Sequence, residues 1–230
     1  MPYLSAIGAL MYLATHTRPD IAFAVNLLSR FSSCPTKRHW NGIKHVLCYL
    51  QGTKNLGLYY TNHNKDGLVG FADASYLSDP HQARSQTGYV FTHGGTAISW
   101  RSMKQTIAAT SSNHSEILAI HEANRECVWL RSMTQHVRAD CGMAECKKPT
   151  VMYEDNVACI AQLNDGYIKG DRTKHILPKF FFTHELEAVR SDRQMRSSDN
   201  SADLFTKALR TCTFRKLTHQ IGMRRLKDLH

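Results

Sequence analysis

Residues 68–75 read Leu68-Val69-Gly70-Phe71-Ala72-Asp73-Ala74-Ser75, a run of strand formers and small residues with one carboxylate set into it. A charge beside apolar positions that belong to a core needs a partner or a metal ion, because burying an unpaired carboxylate is costly. Three further stretches repeat the pattern: Ser115-Glu116-Ile117-Leu118, Tyr153-Glu154-Asp155-Asn156 and Ser201-Ala202-Asp203-Leu204. Asp73, Glu116, Asp155 and Asp203 are therefore candidate ligands of one site assembled from separate elements. Grouped carboxylates bind Mg²⁺ or Mn²⁺, and a pair of such ions serves phosphodiester hydrolysis. Asp79, Glu154, Asp165 and Asp199 fall in turns or beside better candidates and are expected outside that site.

Outward from this strand, residues 58–60, 87–92, 98–100 and 106–109 read as further short strands, punctuated by Asp79-Pro80 and Gly94-Gly95. Residues 113–137 form the longest helical pattern, with Ile117, Ile120, Ala123, Cys127, Leu130 and Met133 on its apolar stripe. Asn113 with Glu116 three residues on satisfies the capping-box rule, which offers Glu116 a second, structural role. Val151-Met152-Tyr153 is a buried strand, followed by a short helix to Leu163. Residues 176–186 and 200–209 read as helices. Ahead of the strands, residues 3–14, 17–31 and 35–52 read as three helices that carry no chemistry. This is an α/β arrangement around a mixed sheet. Its parts are a helical segment over 1–55, the α/β domain over 56–210 and a basic tail over 211–230.

Charge is distributed unevenly. Residues 1–66 carry a net +5, residues 67–166 a net −2 and residues 167–230 a net +7, within a total of +10. Three of the four carboxylates thus lie in an acidic centre between basic flanks, a pattern that suits a polyanion held over a metal site. Lys169, Arg172, Lys174, His175, Lys207 and the basic tail are the candidate nucleic-acid contacts. No apolar run approaches 18 residues, and seven cysteines are scattered without a CxxC pair. The expectation is a soluble intracellular protein, cytoplasmic or nuclear, with no membrane partner and no disulfide framework.

More specific words occur along the chain. They are Ala72-Asp73-Ala74, Ser85-Gln86-Thr87-Gly88-Tyr89-Val90-Phe91, Ala97-Ile98-Ser99-Trp100, Lys104-Gln105, Glu116, Asp155-Asn156, Arg172-Thr173-Lys174-His175-Ile176 and Ala202-Asp203-Leu204-Phe205-Thr206-Lys207. In this order they resemble the ribonuclease H of copia-type retrotransposon Pol polyproteins. Gly8-Ala9-Leu10-Met11-Tyr12-Leu13 and Thr17-Arg18-Pro19-Asp20-Ile21-Ala22 are similar to the segment that joins that family's reverse transcriptase to its ribonuclease H.

The resemblance implies a ribonuclease H-like mixed five-stranded sheet flanked by helices, preceded by a remnant of the thumb or connection. It implies that Asp73, Glu116, Asp155 and Asp203 hold two Mg²⁺ or Mn²⁺ ions, and that the reaction is hydrolysis of RNA in RNA–DNA hybrids. Such a substrate is gripped by its backbone and 2′-hydroxyls rather than its base sequence. The polymerase part of a Pol polyprotein is the implied neighbour. No aromatic-x-Asp-Asp motif is present, so polymerase activity is not expected.

Two features depart from the family's pattern. Residues 190–202 contain no histidine; His184 lies 19 residues upstream of Asp203, and the more distant His175 is the other candidate. Residues 188–196 keep only Val189 and Met195 as sizeable apolar side chains, which predicts a weak edge strand and a loosely held Asp203. The alternative reading is a degenerate or domesticated remnant that binds nucleic acid without turnover. An integrase-like Asp–Asp–Glu order is disfavoured, since Glu116 precedes Asp155 and Asp203.

Overall fold

Three helices come first in the computed structural model, which describes residues 2–61, 67–79, 81–146, 148–166, 176–186 and 190–228. They are Tyr3–His16 (α1), Ala22–Ser29 (α2) and Lys37–Gly52 (α3). The Thr36 hydroxyl caps α3 by accepting from the His39 N–H. Thr17 does not cap the second helix; a 3₁₀ turn, Pro19–Ile21, leads into it instead. There Arg18 pairs with buried Asp20 at 2.7 Å, and the Tyr49 hydroxyl donates to the same carboxylate.

The strands Leu56–Leu58 (β1), Leu68–Asp79 (β2), Arg84–His93 (β3) and Thr96–Lys104 (β4) follow. Helix Ser112–Asp140 (α4) precedes Thr150–Glu154 (β5), Val157–Asp165 (α5), Leu177–Glu185 (α6) and Arg190–Gln194 (β6). Two 3₁₀ turns, Ser197–Asp199 and Ser201–Phe205, lead to Thr211–Gln220 (α7) and Met223–Arg225 (β7). The main sheet has the order β4-β3-β2-β5-β6, with β2, β3 and β4 antiparallel and β5 and β6 parallel to β2. It is a mixed five-stranded sheet flanked by helices, the arrangement that the resemblance implies.

Alternation along β2 divides the core. Phe71 packs on one side with Ile7, Leu10 and Ile43 of the N-terminal helices and with Leu217 of α7. Ala72 packs on the other with Ile117 of α4, Met152 of β5 and Phe180 of α6. The basic tail is therefore folded: α7 completes the first core, Ile221 and Met223 are buried, and β7 pairs with β1. No helix among the described residues is long and apolar enough to cross a membrane.

Four local expectations are corrected. Residues 106–109 form no strand; they cross from β4 to α4 with Ile107 and Ala109 packed on the second core. Residues 200–209 are not an α-helix, because the chain turns in 3₁₀ fashion at Ser201–Phe205. Asn113 is not the cap of α4: the Ser111 hydroxyl accepts from the His114 N–H, while Asn113 donates to Gln162. The weak edge strand is formed and pairs along its whole length with β5, Thr150 opposite Arg190 through Glu154 opposite Gln194. Ladder bonds are made by the main chain, so apolar side chains are dispensable at an edge.

The Ser201–Phe205 turn sits directly on the sheet, at Gly88 of β3. A Cβ at Gly88 would lie 2.7 Å from the Phe205 Cβ and 2.9 Å from the Ala202 carbonyl oxygen. Gly88→Ala is expected to lift the turn and to lower the melting temperature by the equivalent of about 1–3 kcal/mol. An unchanged melting temperature would show that the turn is not seated there.

Candidate active site

The parallel pairing of β2 with β5 sets Phe71 opposite Tyr153, which brings Asp73 and Asp155 alongside each other two residues further on. Asp203 arrives on the 3₁₀ turn, and Asn200 fixes that turn to the sheet. The Asn200 side-chain oxygen accepts from the Ala202 N–H at 3.0 Å, and its Nδ2 donates to the Ala72 carbonyl at 2.8 Å. The Ser102 hydroxyl donates to the Phe205 carbonyl at 2.6 Å. Asp203 is 6% exposed. Asn200, Ser102 and the fit at Gly88 hold its turn against the sheet, contacts that lie outside β6.

Asp73, Asp155 and Asp203 each offer a carboxylate oxygen within 4.8 Å of the others. The Thr206 hydroxyl donates to Asp73. Lys207 stands 2.7 Å from Asp203 and 3.6 Å from Asp73 and offsets part of their charge.

Glu116 lies in the first turns of α4, buried, and accepts from the Ala74 N–H. It forms a second group, within the same 4.8 Å limit, with Asp155 and Glu154. The four expected carboxylates, with Glu154 as a fifth, thus form two trios that share Asp155. Asp73 has the phase of Phe71, toward the 3₁₀ turn, whereas Glu154 has the phase of Met152, toward α4.

Glu154 is a correction, since it was expected outside. The strand's own alternation is the signal that finds it, because Thr150, Met152 and Glu154 are buried while Val151 and Tyr153 are half-buried. Asp79 pairs with Lys104 and Arg30, and Asp199 with Lys216; with Asp165 they stay outside both trios. Lys169, Arg172, Lys174 and His175 lie outside the described residues. His184 contacts the Leu163 carbonyl through its Nδ1.

Burial, and then neighbouring carboxylates, push protons onto this cluster. Desolvation holds Asp73 above its ordinary range and Glu116 and Glu154 well above theirs. Asp203 is raised from 3.8 to about 6, first by burial and then by Asp73. Burial alone would lower Lys207, but Asp73 and Asp203 outweigh it and raise the ammonium's pKa. Glu116 Oε2 and Glu154 Oε2 are buried without a hydrogen-bond partner among the described residues. An all-oxygen donor set with orphaned carboxylate oxygens fits a hard divalent cation such as Mg²⁺ or Mn²⁺.

No protein-family model matches the chain. It is 46% identical over 138 residues to the secreted RxLR effector protein 161 of Plasmopara viticola, covering 60% of this chain and 97% of that one. It is 36% identical over 225 residues to the retrovirus-related Pol polyprotein from transposon TNT 1-94 of Nicotiana tabacum, over 97% of this chain. The match spans 16% of that polyprotein's length. Among solved structures, LC11-RNase H1 in complex with an RNA/DNA hybrid aligns with a TM-score of 0.44 at 16% identity, over 60% of this chain and 93% of that one.

A carboxylic acid whose pKa is raised by folding stabilises the folded state only while it is protonated. The contribution of Asp203 is full below its unfolded value of 3.8 and is lost as the pH rises through about 6. Asp73, Glu116 and Glu154 act in the same direction. In EDTA, the melting temperature of the wild type is expected to fall relative to Asp203→Asn as the pH rises from about 4 to about 7. Mg²⁺ should restore much of the difference at the upper end. Parallel pH profiles for the two proteins would contradict this.

Proposed function

The chain belongs to the copia-type retrotransposon Pol family, as its ribonuclease H region, and from that membership we propose that it is a metal-dependent endonuclease for the RNA strand of RNA–DNA hybrids. The observation that carries the reading is the convergence of Asp73, Asp155 and Asp203, with Glu116 joined to them through Asp155. When bound, two Mg²⁺ or Mn²⁺ ions supply an activated water and neutralise charge developing on the phosphate.

The protein's own groups hold and balance that arrangement. Asp155, shared between the trios, links the two faces of the site. Asn200 orients the turn that carries Asp203, and the Thr206 hydroxyl orients Asp73. Lys207 offsets the charge of Asp73 and Asp203. The hybrid's backbone is the substrate feature recognised, by basic residues that flank the acidic centre. Lys169, Arg172, Lys174 and His175 are assigned to that role from sequence.

The alternative, a remnant that only binds nucleic acid, drew on a failed fifth strand. The full pairing of β6 and the burial of Asp203 favour the enzyme. A polymerase portion of a Pol polyprotein is the proposed neighbour, and the cytoplasm or nucleus the proposed compartment.

With Mg²⁺ or Mn²⁺, the chain is expected to cut a labelled RNA paired with DNA and to leave the same RNA unpaired intact. Asp155→Asn keeps the shape but removes an anchoring charge, so cleavage should drop to background while hybrid binding stays equal or strengthens. Equal turnover by the wild type and the variant would refute the proposal.

A further inference from the structure

Glu154 ends β5 in the inward phase of the strand and is 2% exposed. A position of this kind calls for an apolar side chain, and a lone buried carboxylate there is strongly unfavourable. Its two oxygens have different surroundings. Oε1 accepts from the backbone N–H groups of Asp155 at 3.1 Å and Asn156 at 3.2 Å, which fastens the side chain across the turn into α5. Oε2 has no hydrogen-bond partner among the described residues.

The same is true of Oε2 of Glu116, a residue only 7% exposed. Glu116, Glu154 and Asp155 each present an oxygen within 4.8 Å of the others. Lys207 pairs with Asp73 and Asp203, and no ion pair reaches Glu116 or Glu154 among the described residues. Buried carboxylates that converge this closely and keep unsatisfied oxygens are what a hard cation satisfies.

We propose that Glu154 is a fifth cation-ligating carboxylate, holding a divalent ion together with Glu116 and Asp155 on the α4 side of the sheet. This deepens the nuclease reading, on which it rests only for the class of metal. Because Oε1 is committed to the backbone, Glu154 gives one oxygen. Because Asp155 belongs to both trios, losing Glu154 weakens one ion and spares the ion on the side of Asp73 and Asp203.

Mn²⁺ binding to the whole chain, read from the paramagnetic resonance signal of the free ion, tests this without any turnover. Glu154→Gln keeps the volume and an acceptor for the two N–H groups while removing the charge. It is expected to weaken one of two bound Mn²⁺ ions by roughly ten- to a hundredfold and to leave the other unchanged. Asp203→Asn should do the reverse and spare the Glu154-dependent ion.

Glu154→Asp, with the charge kept and the reach shortened, should weaken the same ion less, and it decides the matter if circular dichroism shows the Gln variant unfolded. Wild-type Mn²⁺ binding in a folded Glu154 variant overturns the proposal and leaves Glu154 sharing a proton with Glu116. Hybrid cleavage, measured separately, distinguishes the two readings. A chain that binds Mn²⁺ through Glu154 but cuts nothing refutes only the nuclease. One that cuts while its Glu154 variants bind Mn²⁺ normally refutes only the role of Glu154.

Discussion

Repulsion among desolvated carboxylates is the constraint to which the surroundings of Asp155 respond. Two like charges about 4 Å apart repel by roughly 4 kcal/mol at an effective dielectric near 20, whereas a hydrogen bond to a charged group returns roughly 1.5–3 kcal/mol. Hydrogen bonds reach Asp73 from Thr206, Glu116 from Ala74 and Glu154 from two backbone N–H groups. One ammonium, Lys207, serves two of the acids. Five carboxylates with one ammonium still carry an excess of negative charge. Protons or cations must supply the remainder, and the raised pKa values of Asp73, Glu116, Glu154 and Asp203 express that demand.

Such a cluster needs a rigid frame, since its members gain by moving apart. The frame is unusually local. Asn200 joins the Asp203 turn to the backbone of the residue that precedes Asp73. Gly88 lets that turn approach the sheet closely, and Ser102 ties its far end to β4. On the other face, α4 is anchored against β2 through Ile117 and Ala72. Binding energy for a cation is thereby spent on ligands already in place, with little ordering left to do.

The sequence made the sheet and its long helix legible because their periodicities are strong. The stripe is buried as read from Ile117 to Leu130, though Met133 at its end is exposed, and the run around Asp73 lies at the sheet's centre. Residues 106–109 looked like a strand because Thr and Ile favour extended structure, yet no partner strand was left beyond β4. Polar residues in β6 hid a strand whose pairing is made by its main chain. Asn113 and Glu116 had capping spacing, but Ser111 took the cap two residues earlier and left Glu116 for the site. Glu154 was masked by its neighbour Asp155, although adjacent strand residues point to opposite faces and both can serve one site at a strand end. The hold on Asp203 was not legible at all, because it depends on contacts between Asn200 and Ala72 that are far apart in sequence.

Asp155 is the point where both groups of acids share a cation site. Crystals of the wild type equilibrated with Mn²⁺ and examined by manganese anomalous scattering test it most directly. The expected result is manganese density within ligand distance of an Asp155 oxygen, flanked by Asp73 and Asp203 on one side of the sheet or by Glu116 and Glu154 on the other. A map with no manganese at Asp155, and with the acids instead paired through protons and Lys207, would contradict it.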